Sequence, residues 1–275
     1  MRKVLIALLL STCAVAHTSA PVSSQSATQP AANAPSQDVN AQKARTLLEQ
    51  CIQAMGGQAW LNVKDMQQEG RTYGYSHGSP MGMGTLFWRF WKYPDKDRTE
   101  FTKQRDVMYI YNGEKGYEVT YKGTMSMDAV DLKQYLLRRN HSLETVLRGW
   151  LEDSKTALFY DGPAIAEQKH TDSVTLLNKN NDSVTLFLDE HTHLPVKKQF
   201  EYRAPDRMKD TEVEVYDNWR PEQGIPTPHS ILRSHNGEIV NQRFITTVKY
   251  NMGLSDQMFE GKVNYEPKSR PSHPD

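Results

Sequence analysis

Thr85-Leu86-Phe87-Trp88-Arg89-Phe90-Trp91-Lys92-Tyr93 has the aromatic content of a β-strand, and Tyr93-Pro94-Asp95-Lys96 closes it with turn chemistry. Side chains alternate between the faces of a strand, so Leu86, Trp88 and Phe90 point one way and Phe87, Trp91 and Tyr93 the other. Both faces are therefore apolar. A sheet with one wet face carries polar residues at every second position, so each side of this strand requires a cover: helices, a second sheet, or a bound apolar molecule.

Downstream, strands are predicted over 98–102, 107–112 and 116–121, separated by the turns Lys103-Gln104-Arg105-Asp106 and Asn112-Gly113-Glu114-Lys115. Tyr109, Tyr111, Tyr117, Val119 and Tyr121 extend the aromatic surface. The pattern then turns helical. Leu132, Tyr135 and Leu136 mark a helix over 128–139, and Leu143, Val146, Leu147, Trp150 and Leu151 a second one with an apolar stripe. An amphipathic pair inserted into a β meander has to lay its stripe on a sheet face, which supplies one of the covers.

Beyond Asp161-Gly162-Pro163, strands are predicted over 164–169, 174–178, 184–188, 195–202, 211–219, 228–234 and 239–250, with His235-Asn236-Gly237 as a tight hairpin. In the last strand, alternation assigns Val240, Phe244, Val248 and Tyr250 to one face and Asn241, Arg243, Thr247 and Lys249 to a wet one. Upstream, Ala44, Leu47, Leu48, Cys51, Ile52 and Met55 line one side of a helix that Gly56-Gly57 terminates. Cys51 on that stripe reads as a small buried hydrophobe.

The 275 residues suffice for one large β-rich domain, and 33 basic residues against 33 acidic ones give no electrostatic case for nucleic acid. At the N-terminus, Arg2-Lys3, the apolar run Val4 to Leu10 and the small residues Ala14 and Ala16 read as a secretory signal peptide over 1–16. The run falls short of the ~20 residues of a membrane span. Residues 17–38, rich in Ser, Ala, Pro and Gln, read as a disordered linker; 39–262 as a single domain; and 263–275 as a disordered tail. Leu10-Ser11-Thr12-Cys13 resembles a bacterial lipobox, which makes a lipid anchor on Cys13 the lesser alternative to a freely exported chain. With Cys13 removed, Cys51 has no partner for an intrachain disulfide.

Few residues suggest reaction chemistry. Gly74-Tyr75-Ser76-His77-Gly78 matches the G-x-S-x-G of a hydrolase elbow, but Pro80, Gly82 and Gly84 follow where the elbow needs a helix, so a hairpin loop with exposed Met81 and Met83 is expected and catalysis by Ser76 is the weakest reading. His191 and His193 with Asp189 and Glu190 read as a solvated turn rather than a metal site. His170, His229 and His235 read as surface residues, and Glu212 and Glu214 as neighbours on a solvent face. No catalytic residue, cofactor or metal is expected.

Three stretches carry a family resemblance: Ala54-Met55-Gly56-Gly57-Gln58-Ala59-Trp60 before the first strand; Tyr216-Asp217-Asn218-Trp219 through Gly224-Ile225-Pro226-Thr227-Pro228; and Asn251-Met252-Gly253-Leu254-Ser255-Asp256-Gln257-Met258-Phe259. On these the chain resembles exported bacterial proteins of the LolA/LolB-like superfamily, the periplasmic lipoprotein carriers and their relatives. The resemblance implies an α+β fold, mainly β: a strongly curved antiparallel sheet forming a half-open barrel, its concave face covered by an N-terminal helix and the inserted helical pair. It also implies a periplasmic monomer that binds lipid or lipoprotein acyl chains, or, as the alternative, an envelope sensor or structural binding domain with protein partners. Joined to the two-sided aromatic strand, it places a hydrophobic site at Leu86, Trp88, Phe90, Tyr109, Tyr111, Tyr117, Val119, Tyr121, Leu147 and Trp150.

Overall fold

The computed structural model describes residues 37–203 and 208–266. The signal-peptide reading, the Cys13 anchor and most of the linker and tail lie outside them. Helix α1 (Gln37–Ala54) ends as its glycines require: Gly56 and Gly57 take φ of 115° and 57°, and the Gly57 N–H reaches back to the Ile52 carbonyl at 2.8 Å. A short helix α2 (Gln58–Leu61) leads into β1 (Asp65–Ser76), β2 (Ser79–Pro80), β3 (Thr85–Lys92), β4 (Lys96–Phe101), β5 (Val107–Asn112), β6 (Lys115–Thr120) and β7 (Gly123–Ser126).

The inserted helices come next. α3 (Ala129–Asn140) is N-capped by the Asp128 carboxylate, which accepts the Val130 N–H. The expected second helix is a single α-turn, α4 (Leu143–Thr145), running into a π-helical turn over Val146–Trp150 closed by the Leu151 N–H to the Val146 carbonyl at 3.0 Å. Strands β8 (Ala157–Ala166), β9 (Lys169–Leu177), β10 (Ser183–Asp189), β11 (Pro195–Arg203), β12 (Lys209–Glu222), β13 (Ile225–His235) and β14 (Glu238–Tyr250) follow, then a 3₁₀ turn at Asp256–Phe259.

Two local expectations are corrected. Asp161-Gly162-Pro163 does not break the chain; it is a bulge inside β8, where the register shifts between Tyr160 and Gly162. The segment 164–169 is not one strand. It turns back at Glu167-Gln168, both at positive φ, to start β9. His235-Asn236-Gly237 is the expected tight hairpin, with Asn236 and Gly237 at φ of 50° and 82°.

All pairings are antiparallel, in the order β7-β6-β5-β4-β3-β1-β14-β13-β12-β11-β10-β9-β8, with β2 paired to β1 alone. The half-open barrel is therefore corrected: the sheet is a large open one, neither closed nor strongly curled, with free edges at β7 and β8. Side-chain amides occupy those edges. Asn40 of α1 donates to the Tyr160 carbonyl and accepts the Tyr160 N–H, each at 2.8 Å, on β8. Asn264 accepts the Thr124 N–H at 2.8 Å, while its own N–H and that of Tyr265 reach the Thr124 carbonyl on β7. Edge groups met this way have no call for a further strand.

One face of the sheet holds the main core. Ala44, Leu48 and Cys51 of α1, Val146 and Leu147 of the π-turn, Phe87 and Trp91 of β3, and Val174, Leu176, Val184, Leu186 and Leu188 of β9 and β10 are all buried together. The other face of β3 to β5 is covered by the segment after β14. Phe259, fully buried, packs with Phe90 and Ile110, flanked by Trp88, Tyr117, Val119, Leu254 and Met258. This C-terminal strap is pinned by Asp65, whose carboxylate accepts the N–H groups of Met252, Gly253 and Leu254 at 2.6, 3.0 and 3.1 Å. Lys92 and Lys96 both reach Asp256 at 2.8 Å, and Arg98 donates to the Met258 carbonyl at 3.0 Å. The two covers demanded by the aromatic strand are thus helices on one side and the chain's own C-terminal segment on the other.

Candidate functional site

Helix α3 does not bury its stripe as the π-turn does. Between it and the helix-side face of the sheet lies an open cleft of about 520 Å³, within the size class of small-ligand sites. Tyr109 and Tyr111 of β5 with Glu118 of β6 form one wall; Asp131, Gln134 and Arg138 of α3 lie above; Tyr202, Asp210, Glu212, Arg233, His235 and Val240 of β11 to β14 form the other wall.

The register explains which side chains meet here. Trp91, Asp97, Tyr111 and Gly116 are successive cross-strand partners, so they share the face that α3 covers. Gly116 leaves room there, since a Cβ would meet the Leu132 side chain of α3 at 2.9 Å. Tyr135 fills the space: its ring stacks on Tyr111 with centroids 3.3 Å apart and planes at 6°, and its hydroxyl donates to Asp97 at 3.2 Å. Asp97 also takes Arg89 in a forked contact, Nε at 3.0 Å and a terminal nitrogen at 2.7 Å from the same oxygen. Burial works against charge on Arg89, but Asp97 more than offsets it and holds the guanidinium above its ordinary value.

From Arg89 a polar stripe crosses the inner face through Arg243 of β14, Arg233 of β13, Glu214 of β12 and Lys198 of β11. Lys198, only 1% exposed, contacts Glu214 at 2.8 Å, and the Tyr216 hydroxyl donates to Glu214 at 2.7 Å. Burial alone would raise the Glu214 pKa; Lys198 reverses this and holds it well below the usual carboxylate range. His235 stands 3.2 Å from Glu212 by Nδ1 and 3.8 Å from Asp210 by Nε2. The side chains of Arg138, Arg233 and Arg243 form no ion pair or hydrogen bond among the described residues, and Nε of Arg233 is buried without a partner. Burial lowers the pKa of both Arg138 and Arg243, the latter to about 10; Arg233 adds to the first shift and Arg89 to the second.

Several of these residues differ from their sequence reading. Glu212 and Glu214 are inside rather than on a solvent face, and Glu212 is 5% exposed. His229 is also buried, its Nδ1 2.9 Å from the Ile245 carbonyl. Arg243 moves from the wet face to the inner one because β14 bulges: Glu69 pairs with Thr247 but Gly70 with Ile245, so the alternation slips by one residue at Thr246.

Of the ten residues expected to form a hydrophobic site, the structure brings only Tyr109 and Tyr111 to the cleft. Trp88, Phe90, Tyr117 and Val119 lie beneath the C-terminal strap on the opposite face, with Leu86 on their side of β3. Leu147 and Trp150 are in the main core, and Tyr121 is 86% exposed. Ser76 is the last residue of β1 before the two-residue turn His77-Gly78, and the chain returns as β2 rather than as a helix. His191 and His193 sit in the turn after β10, where Asp189 accepts the N–H groups of His191 and Thr192 at 3.1 and 2.8 Å. Among the described residues no group of three His, Cys, Asp or Glu is arranged to hold a metal ion.

Solved structures share this architecture. A DUF1329 family protein from Desulfovibrio piger superposes with a TM-score of 0.57 at 12% identity, covering 80% of this chain and 97% of that one. A domain named for outer membrane lipoprotein sorting, from Vibrio parahaemolyticus, gives 0.52 at 12% identity, with the same 80% and 97% coverage. At this identity the likeness is one of fold alone. A LolA superfamily protein from Nitrosomonas europaea is also similar, with a TM-score of 0.49 at 12% identity over 79% of this chain and 97% of that one. No family model and no curated protein matches the sequence.

Proposed function

We propose that this chain is a non-enzymatic binding protein of the bacterial envelope that carries an amphipathic ligand, a lipid or the acylated end of a lipoprotein, in the cleft beneath α3. The observation that carries the reading is the cleft itself: about 520 Å³ left open over a sheet whose neighbouring inner face is packed solid. Tyr109, Tyr111, Met127 and Val240 offer it apolar surface, and the polar stripe lies beside them. An apolar chain laid on that wall contributes about 0.8 kcal/mol per methylene buried, and tyrosine hydroxyls at the rim can hold a polar head. The fold likeness to a lipoprotein-sorting domain supports the ligand class and the exported location. Native mass spectrometry of protein purified without detergent is expected to find a stoichiometric lipid adduct, lost in Tyr111→Ala. Protein that carries no lipid and binds no fluorescent fatty-acid probe sinks the proposal.

A further inference from the structure

We infer that Arg138 and Arg233 hold a single oxyanion, a phosphate or a carboxylate, at the charged end of the cleft. Resting on the ligand reading above, the inference names the headgroup chemistry that site accepts. Arg138 reaches down from α3 and Arg233 rises from β13, and both line the same cleft. Neither forms an ion pair among the described residues, although guanidinium groups this enclosed are ordinarily matched by a carboxylate. The Nε of Arg233 is buried and has no acceptor. Leaving such a donor unmet is costly, and the planar fork of arginine fits the paired oxygens of a phosphate or carboxylate.

Two of the nearby carboxylates are committed: Glu214 to Lys198 and Tyr216, and Asp97 to Arg89 and Tyr135. Glu212 meets His235 through Oε1, while its Oε2 is buried without a hydrogen-bond partner, so the lining holds an unmet acceptor beside the unmet donor of Arg233. On the neighbouring strand β14, where it pairs with Ile231, Arg243 is likewise without an ion-pair partner and adds positive charge from the sheet. Acidic side chains at Glu118, Asp131 and Asp210 stand elsewhere on the lining. They repel a broad polyanion and so restrict the site to one compact anionic group.

The test is calorimetric titration of the protein with three probes at low salt: inorganic phosphate, dihexanoyl phosphatidate below its micelle concentration, and dihexanoylglycerol as the uncharged lipid. Phosphatidate is expected to bind at least tenfold more tightly than dihexanoylglycerol, and Arg138→Gln is expected to erase that preference while leaving dihexanoylglycerol unchanged. Binding of inorganic phosphate, lost in the same variant, marks a free anion as sufficient; binding of phosphatidate alone marks a lipid headgroup, and either supports the oxyanion site. Equal binding of the two lipids, unaffected by Arg138→Gln, overturns the site and leaves the lipid reading standing. Phosphate binding without either lipid does the reverse. Binding of none of the three overturns both. Arg233→Gln serves as a second variant, and its thermal midpoint in the absence of ligand is expected to be unchanged or higher, since it removes an unmatched charge; a marked fall means that Arg233 is already paired and refutes the site.

Discussion

Tyr135 of α3 lies flat on Tyr111 of β5, ring centroids 3.3 Å apart, and its hydroxyl donates to Asp97 at 3.2 Å. The pair fixes the height of α3 over the sheet at one end of the cleft, so the cleft depends on a stack and a hydrogen bond that substitution can separate. Tyr135→Phe keeps the stack and leaves Asp97 with Arg89, and is expected to cost about 0.5–1.5 kcal/mol in urea unfolding. Tyr135→Ala removes both and is expected to cost more than 2 kcal/mol while also weakening ligand binding. Equal losses in the two variants would show that the stack contributes nothing.

Acid should destabilise the protein through Glu214. Its pKa is held below the ordinary 4.5 by Lys198 against the opposing effect of burial. A lowered folded-state value means that the contribution is fully present above pH 4.5 and is lost as pH falls from there through the folded value. The thermal midpoint is therefore expected to drop steeply below about pH 4.5, and Glu214→Gln should flatten that part of the curve. At neutral pH the same variant leaves Lys198 buried without its partner, at a cost of about 3–5 kcal/mol. Lys198→Met with Glu214→Gln is expected to recover much of the loss, and strictly additive losses would mean that the two groups do not interact.

The C-terminal strap makes a prediction at a distance from the cleft. Asp65 accepts three N–H groups at residues 252–254, and without them Phe259 and the Trp88 and Phe90 side of β3 lose their cover. Asp65→Ala is expected to cost about 2–4 kcal/mol, because charge-assisted bonds are lost and three donors are left unmet. Binding of an apolar dye should rise in parallel as the strap loosens. Phe259→Ala, which empties the centre of that cluster, is expected to cost about 3–5 kcal/mol while leaving Asp65 in place. A dye signal unchanged in both variants would mean that the strap does not shield this face.

Legibility in the sequence followed the range of the interaction. Local signals were readable: the apolar stripe of α1 with its Gly56-Gly57 end, the turn at Asn236-Gly237, and the two apolar faces of β3. Period-two alternation says that Trp88 and Phe87 face opposite ways, but not what covers each, and the strap arrives from some 160 residues further on, as the Lys92 to Asp256 contact shows. Closure of the sheet was not legible either, since it depends on whether the distant strands β7 and β8 meet, which no local signal carries. The cleft was the least visible part. Its charged residues come from α3 and three strands, β6, β12 and β13, and Arg243 was assigned to the wrong face because nothing around Thr246 announces a bulge. Glu212 and Glu214 look like surface carboxylates until Lys198 and His235 are brought beside them.

That bulge can be tested with two glycines of one strand. At Gly70, where the β1–β14 register shifts, an added Cβ would run into the Phe244 carbonyl oxygen, which is main chain and cannot swing aside. At Gly74, four residues along the same strand, it would meet only the end of the exposed Met81 side chain, at 2.8 Å. Glycine in a strand is entropically unfavourable by roughly 0.5–1 kcal/mol relative to alanine, so where space allows the substitution should be neutral or stabilising. Gly74→Ala is therefore expected to leave the urea midpoint unchanged or raise it, with Met81 turning outward. Gly70→Ala is expected to cost about 1–3 kcal/mol, because β14 must shift to admit the methyl group. The shift should reach the cleft, since Phe244 lies next to Arg243, and anion binding should weaken in Gly70→Ala but not in Gly74→Ala. If both variants behave alike, the register slip that turns Arg243 inward is absent.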